Sequence, residues 1–297
     1  YMPIFEEALD AYGLPLELRY LPIIESALNP SAVSRAGASG LWQFMIGTGK
    51  IYGLESNSLV DERRDPIKAT WAAARYLKEM YDIYGDWNLV IAAYNCGPGT
   101  INKAIRRANG ETDYWKIYNY LPKETRGYVP AFIAANYVMT YYCDHNICPM
   151  ETNIPASTDT VQVNKNLHFE QIADLCNVPL DQIKSLNPQY KKQMIPGDSK
   201  PYTLRLPIDA ISTFIDKQDT IYAHRADELF RNRKTVAVKE ITPSTRKTTT
   251  AVAGKGKLTY YTIKSGDTLS TIAGKYGVTI KDIQRWNGMS NTKIAAG

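Results

Sequence analysis

Glu25 is the side chain best placed to do chemistry. It lies in an apolar helical run, Leu21-Pro22-Ile23-Ile24-Glu25-Ser26-Ala27-Leu28, which Asn29-Pro30 is expected to terminate. Fifteen residues on comes Gly40-Leu41-Trp42-Gln43-Phe44-Met45. Apolar neighbours disfavour the ionised carboxylate, and the negative end of a helix dipole acts in the same direction. A glutamate moved from about 4.3 toward about 6 to 7 can donate a proton near neutral pH, as general-acid cleavage of a glycosidic bond requires. The competing reading, a helical glutamate facing solvent, fits most glutamates, so the residues around Glu25 decide between them.

Other chemistries find less support. Cysteines stand at 96, 143, 148 and 176 without a C-x-x-C pair, and histidines at 145, 168 and 224 are too scattered for a ligand set. No metal or other cofactor is therefore expected. Cys143 and Cys148 flank a turn-like stretch after a helical segment, so a local disulfide and two free thiols are both open, whereas Cys96 and Cys176 read as buried thiols.

The 297 residues leave room for two or three domains. Tyrosine is abundant, 21 against 6 phenylalanines; such rings suit stacking on sugars, and also amphipathic helix contacts. No apolar run approaches the roughly 18 residues of a membrane span, and no signal peptide is visible. The first residue is Tyr, which reads as the start of a mature or trimmed fragment. Net charge is +5, yet residues 234–297 alone carry 11 basic and 3 acidic groups. Such a segment suits an anionic polymer or a solvated linker. No RNA-recognition, zinc-finger or basic-helix pattern accompanies it, so nucleic acid is not expected as a partner.

The elements that must position Glu25 are helices. Apolar spacing near 3.6 predicts helices over 4–12 and 16–28, and Asp65-Pro66 opens a long one ending at Tyr84. Trp87 to Tyr94, stopped at Asn95-Cys96-Gly97, and Pro98 to Ala108 follow, and 123–142 closes the domain. Pro22 and Pro130 sit inside helical patterns and imply a kink or a late start. From about residue 158 the texture changes to strand, two short helices, strand. It recurs one hundred residues on: Ile172-Ala173, Val178, Ile183 and Asn187 match Ile272-Ala273, Val278, Ile283 and Asn287 without a gap. A repeat of this kind marks small domains. Four segments are predicted: an all-α catalytic domain over 1–150, a module over 158–208, a connecting segment and linker over 209–257 with a helix at 209–233, and a second module over 258–297. The linker proper, Thr235 to Lys257, is rich in Thr, Lys and Ala and reads as mobile.

Four ordered motifs resemble lytic transglycosylases with a goose-lysozyme-like (SLT) domain. They are Glu25-Ser26 with Asn29-Pro30, Gly37 through Met45, Ala93-Tyr94-Asn95-Cys96-Gly97-Pro98-Gly99, and Glu124-Thr125-Arg126-Gly127-Tyr128-Val129; Arg63-Arg64-Asp65 adds to them. The glycine-rich stretch Gly37 to Gly40 lets backbone approach a ligand, or forms an ordinary tight turn, while Gln43 offers a donor and an acceptor to a sugar hydroxyl or acetamido group. Tyr94 and Asn95 fall where one helix stops, able to point into a cleft, with Asn95 equally able to cap. Tyr128, near the start of the last helix, could orient Glu25 through its hydroxyl or sit in the core. Ser34, Met45 and Glu124 are carried over from the resemblance alone as cleft positions.

The resemblance implies cleavage of the β-1,4 bond between N-acetylmuramic acid and N-acetylglucosamine in peptidoglycan. Glu25 would protonate the leaving oxygen, then take the proton of the C6 hydroxyl that closes a 1,6-anhydro ring. Two-carboxylate glycosidases need a second Asp or Glu. Asp61, Asp65 and Glu124 are available, but Asp65 reads as a cap and Glu124 as substrate-binding. The substrate's acetamido group would then assist. The repeats resemble LysM modules, βααβ units that bind N-acetylglucosamine-containing glycans. The later copy, from Tyr261 through Gly266-Asp267-Thr268-Leu269 to Trp286-Asn287, is the clearer, and it stops before its expected last strand. The earlier copy has Asn166-Leu167-His168 in place of Gly-Asp-Thr, leaving glycan binding and a structural role both open. The implied setting is the bacterial cell envelope, periplasmic or outer-membrane associated, with peptidoglycan strands as partner, a monomeric protein, and room for a membrane lipid anchor outside this chain. A hydrolytic muramidase and a non-catalytic wall-binding protein are the alternatives.

Overall fold

A computed structural model describes residues 1–148, 154, 155, 157–230, 235–239, 258–264, 266–287, 289, 292 and 294. It divides into two compact units, one of residues 1–56 and 61–153, the other of residues 57–60 and 154–297.

The first unit is helical: α1 (Met2–Ala11), α2 (Leu21–Ser26), α3 (Ile46–Ile51), α4 (Pro66–Tyr84), α5 (Trp87–Cys96), α6 (Pro98–Arg107), α7 (Tyr114–Ile117) and α8 (Lys123–Thr140). Local chemistry sets the ends of α4. Asp65 accepts from the amides of Ile67 and Lys68, Pro66 occupies the first turn, and Gly85 closes the helix at φ +63°. Its inner stripe of Ala69, Ala73, Leu77 and Met80 packs against α1 and α5. Trp42 is fully buried, edge-on to Phe5 at 5.3 Å, and its indole N–H donates to Thr70 Oγ1 at 2.9 Å. A ring of this size is buried cheaply only when its polar edge finds such a partner.

Three local expectations are corrected. The stretch expected as one helix over 16–28 is a 3-10 turn, Leu16–Tyr20, followed by α2. Pro22 cannot donate to the carbonyl four residues back, so it sits in the first turn of α2. That helix ends at Ser26, before Asn29-Pro30, because Ala27 and Leu28 turn left-handed at φ +50° and +59°. Finally, α5 runs through Asn95 to Cys96, with the break at Gly97, φ +80°. Pro130 stays inside α8. Its missing N–H frees the Arg126 carbonyl, which the Tyr114 hydroxyl takes at 3.0 Å. All four cysteines are free thiols, with Cys143 and Cys148 exposed and Cys96 half-buried.

In the second unit, β1 (Thr158–Val163) and β2 (Asn166–His168) lead to α9 (Phe169–Cys176) and α10 (Leu180–Leu186), then β3 (Met194–Pro196) and β4 (Tyr202–Pro207). β1 pairs antiparallel with β4 and β2 with β3. Within 209–233, where a helix is expected, the chain forms α11 (Ile208–Asp216) and α12 (Gln218–Ala223), whose Phe214 and Ile221 are buried in the module core, and then α13 (Ala226–Leu229). Buried Gln171 ties these helices down: its amide N–H groups donate to the carbonyls of Tyr222 and His224, and its oxygen accepts from His168 N.

The repeat is structural. α14 (Leu269–Tyr276) and α15 (Ile280–Asn287) match α9 and α10. Ile172 and Ile272, and Ile183 and Ile283, are buried alike. Asn187 and Asn287 each donate to the carbonyl four residues back, at 2.9 and 2.8 Å. Thr268 and Thr271 form a capping box on α14, and His168 with Gln171 forms the equivalent on α9, so the unlike sequences do the same work. Part of the expected linker is a strand, because the backbone of β5 (Thr235–Lys239) pairs antiparallel with β6 (Leu258–Thr262). The rest of that linker expectation, 240–257, lies outside the described residues.

Candidate active site

Glu25 projects from the last turn of α2, and Tyr128 from the second turn of α8 donates its hydroxyl to Glu25 Oε1. Burial raises the Glu25 carboxyl from 4.5 to about 7; the Tyr128 hydrogen bond opposes the rise, and the charge of Glu124 adds to it. Glu124 is exposed on the first turn of α8, where a carboxylate suits the helix dipole. The phenols of Tyr94 and Tyr128 are both pushed well above their ordinary value, by burial and then by the charge of Glu25. Both therefore remain donors across the whole physiological range.

The neighbouring loop is fastened by its backbone. Tyr94 donates to the carbonyl of Trp42 at 2.7 Å, and Ser26, next to Glu25, donates to the carbonyl of Leu41 at 2.9 Å. Asn95 Oδ1 accepts from Thr125 Oγ1 at 2.9 Å, coupling α5 to α8 beside Tyr128. The hydroxyl proton of Tyr94 and the side-chain oxygen of Asn95 are thus engaged by protein groups. Gln43 adopts φ +47°, and its amide nitrogen donates to Gly40 O at 2.8 Å and Ala32 O at 3.3 Å. Its donor is thus engaged by the loop itself. Ser34 Oγ accepts from Ala38 N at 3.0 Å, and Met45, 46% exposed, precedes α3. The structure thus gathers Glu25, Tyr94, Glu124 and Tyr128 around one carboxyl, while Ser34, Gln43 and Met45 belong to the adjoining loop.

Two of the other carboxylates considered as partners for Glu25 are occupied. Asp61 is buried in a two-point ion pair with Arg63, Nε to Oδ1 and a terminal nitrogen to Oδ2, each 2.8 Å. Asp65 is the cap of α4. Sequence reasoning quoted Thr125, Ser26 and Arg63 within its motifs but gave them no role. Thr125 and Ser26 lay inside the quoted motifs, and a hydroxyl beside each proposed site residue was the available signal. For Arg63 the available signal was the oppositely charged Asp61 two residues before it. Among the described residues no group of three or more His, Cys, Asp or Glu could hold a metal ion, and no described helix is long and apolar enough to cross a membrane.

Comparison with known proteins follows the same division. A family profile described as "Transglycosylase SLT domain" matches residues 2–117, "Lytic transglycosylase MltD, LysM-like domain" matches 157–223, and "LysM domain" matches 261–297. The chain is 33% identical over 291 residues to the membrane-bound lytic murein transglycosylase D of Escherichia coli (strain K12), covering 96% of this chain and 59% of that protein. To the soluble lytic murein transglycosylase of the same strain it is 33% identical over 124 residues, 40% of this chain and 19% of that one. An autolysin of Enterococcus faecalis (strain ATCC 700802 / V583) is 57% identical over 42 residues, 14% of this chain and 6% of that protein. The chain thus spans less than two thirds of the length of these relatives.

Proposed function

We propose, from the premise that this chain belongs to the transglycosylase SLT family and carries LysM modules behind its lysozyme-like domain, that it is a lytic transglycosylase of peptidoglycan. It cleaves the β-1,4 bond between N-acetylmuramic acid and N-acetylglucosamine and leaves a 1,6-anhydromuramic end. The observation that carries this reading is a single half-buried carboxyl, poised at about 7 and gripped by a phenol, with Asp61 and Asp65 both committed elsewhere.

The protonated Glu25 donates to the leaving glycosidic oxygen as positive charge grows at the anomeric carbon. The substrate's acetamido group stabilises that carbon. The Glu25 carboxylate, held by Tyr128, then accepts the proton of the C6 hydroxyl as its oxygen bonds the anomeric carbon. One group is acid and then base, and the proton count closes without water. Ser34, Gln43, Met45, Tyr94, Asn95 and Glu124 line the sugar cleft in this reading, Gln43 through its amide oxygen and Tyr94 and Asn95 by holding its walls. The LysM module at 258–297 binds the glycan, which places the protein in the cell envelope.

The test is digestion of purified sacculi by the wild type and Glu25→Gln, with mass analysis of the muropeptides. The wild type releases anhydromuramyl fragments and Glu25→Gln releases at least about 100-fold fewer. Equal digestion by Glu25→Gln would overturn the assignment.

A further inference from the structure

The loop from Gly37 to Phe44 is conformationally costly. Gly37 and Gly40 stand at φ +87° and +89°, and between them and Phe44 the non-glycine Gln43 stands at +47°. A bulky residue keeps such a backbone only where its surroundings over-determine it. Those surroundings converge on Arg63. One terminal nitrogen of its guanidinium donates to the carbonyls of both Gly37 and Phe44, at 2.8 Å each, so one group pins the two ends of the loop. The rest of the fork is held by Asp61, and the residue is 5% exposed.

Two glycines make room for this arrangement. A Cβ on Gly40 would lie 1.7 Å from the Arg63 carbonyl oxygen, and one on Gly49 would lie 3.2 Å from Arg63 Cγ and Cδ. Arg64 adds a hydrogen bond from Nε to buried Ser39 Oγ at 3.1 Å. Lysine in place of Arg63 could offer donors from only one point, so it could not span carboxylate and two carbonyls together.

We propose that Arg63 is a positioning residue for glycan binding: it sets the Gly37–Phe44 loop, and with it Gln43 and the carbonyls that receive Ser26 and Tyr94. This rests on the cleft assignment above. Arg63 acts only through the loop, because Glu25 takes its orienting hydrogen bond from α8 instead.

The test uses the whole chain and two variants, Arg63→Lys and the charge-neutral pair Asp61→Asn with Arg63→Met, which avoids leaving one buried charge unpaired. Hydrogen exchange at the amides of Ser39, Gly40 and Gln43 is read together with kinetics on soluble uncrosslinked glycan strands. Both variants should exchange these amides at least tenfold faster while α4 and α5 keep their protection. KM should rise at least tenfold with kcat within threefold, and the pH at which Glu25 loses its proton should not move. Unchanged loop exchange, or a loss confined to kcat with KM intact, would overturn the proposal. Failure of the enzymatic reading shows separately, as an active Glu25→Gln or an inactive wild type; in the latter case strand binding replaces KM, and an affinity equal to wild type in both variants overturns the role of Arg63.

Discussion

The hydroxyl of Tyr128 donates to Oε1 of Glu25 across 103 residues of sequence. That bond opposes the effect of the site's burial. Withdrawal from water raises the carboxyl toward the neutral form, while the phenol favours the ionised form. The outcome, about 7, lets one carboxyl both give and take a proton near neutrality.

The pH dependence of kcat/KM follows from that value. The free enzyme must carry the Glu25 proton, so kcat/KM is expected to be level below the pKa and to fall tenfold per pH unit above about 7. Rates on soluble glycan strands from pH 5 to 9 measure this; a limb near 4.5 would mean an ordinary exposed glutamate.

Two substitutions should move that limb in opposite directions. Tyr128→Phe removes the donor that favours the carboxylate, so the limb moves above 7, with kcat down about tenfold from lost orientation. Glu124→Gln removes a neighbouring negative charge, so the limb moves below 7 while most of kcat remains. A loss in Glu124→Gln as deep as in Glu25→Gln would instead mark Glu124 as a second catalytic carboxylate.

Stability carries the same signature. Glu25 has a higher pKa folded than unfolded, so the folded state holds the extra proton and is favoured by it below about 4.5; that advantage is lost as pH rises through about 7. The span corresponds to about 3 kcal/mol as an upper value. Glu25→Gln, which cannot ionise, should therefore match the wild type in acid and exceed it above pH 7 by up to that amount, read by urea unfolding at pH 4 and pH 8. An equal difference at both values would show that Glu25 does not titrate on folding.

Much of this was legible in the chain. The apolar company of Glu25, the cap and proline that open α4, and the hundred-residue offset of Ile172, Ile183 and Asn187 to their later counterparts are local or periodic signals, and such signals survive in a linear text. What escaped is what depends on distant partners. Arg63 reads as part of a motif without a role until the Gly37 and Phe44 carbonyls are brought to it. The end of α2 at Ala27 is set by left-handed backbone at a residue with no special propensity for it. His168 caps α9 in place of the threonine of the later repeat, because a ring nitrogen can accept a backbone N–H as a hydroxyl oxygen does. The pairing of β5 with β6 joins segments separated by the long Thr- and Lys-rich stretch, and nothing in the composition of that stretch announces it.

Within the first module, buried Asn187 joins α10 to β4: its amide donates to Arg205 O at 2.8 Å and accepts from Arg205 N at 2.9 Å. Asn187→Ala is expected to cost about 2 kcal/mol by leaving backbone groups unpaired. Unfolding of the chain followed by hydrogen exchange should show the loss in β1 and β4, with α4 and α5 unaffected; uniform protection across β1 and β4 would contradict it.

The most direct measurement of the lone-acid account is digestion of sacculi in water enriched in oxygen-18. With Glu25 acting as acid and then base on the substrate's own C6 hydroxyl, the muropeptide ends should be one water lighter than reducing ends and free of label. Labelled reducing ends would show that water attacks, and the account of Glu25 as sole acid and base would be wrong.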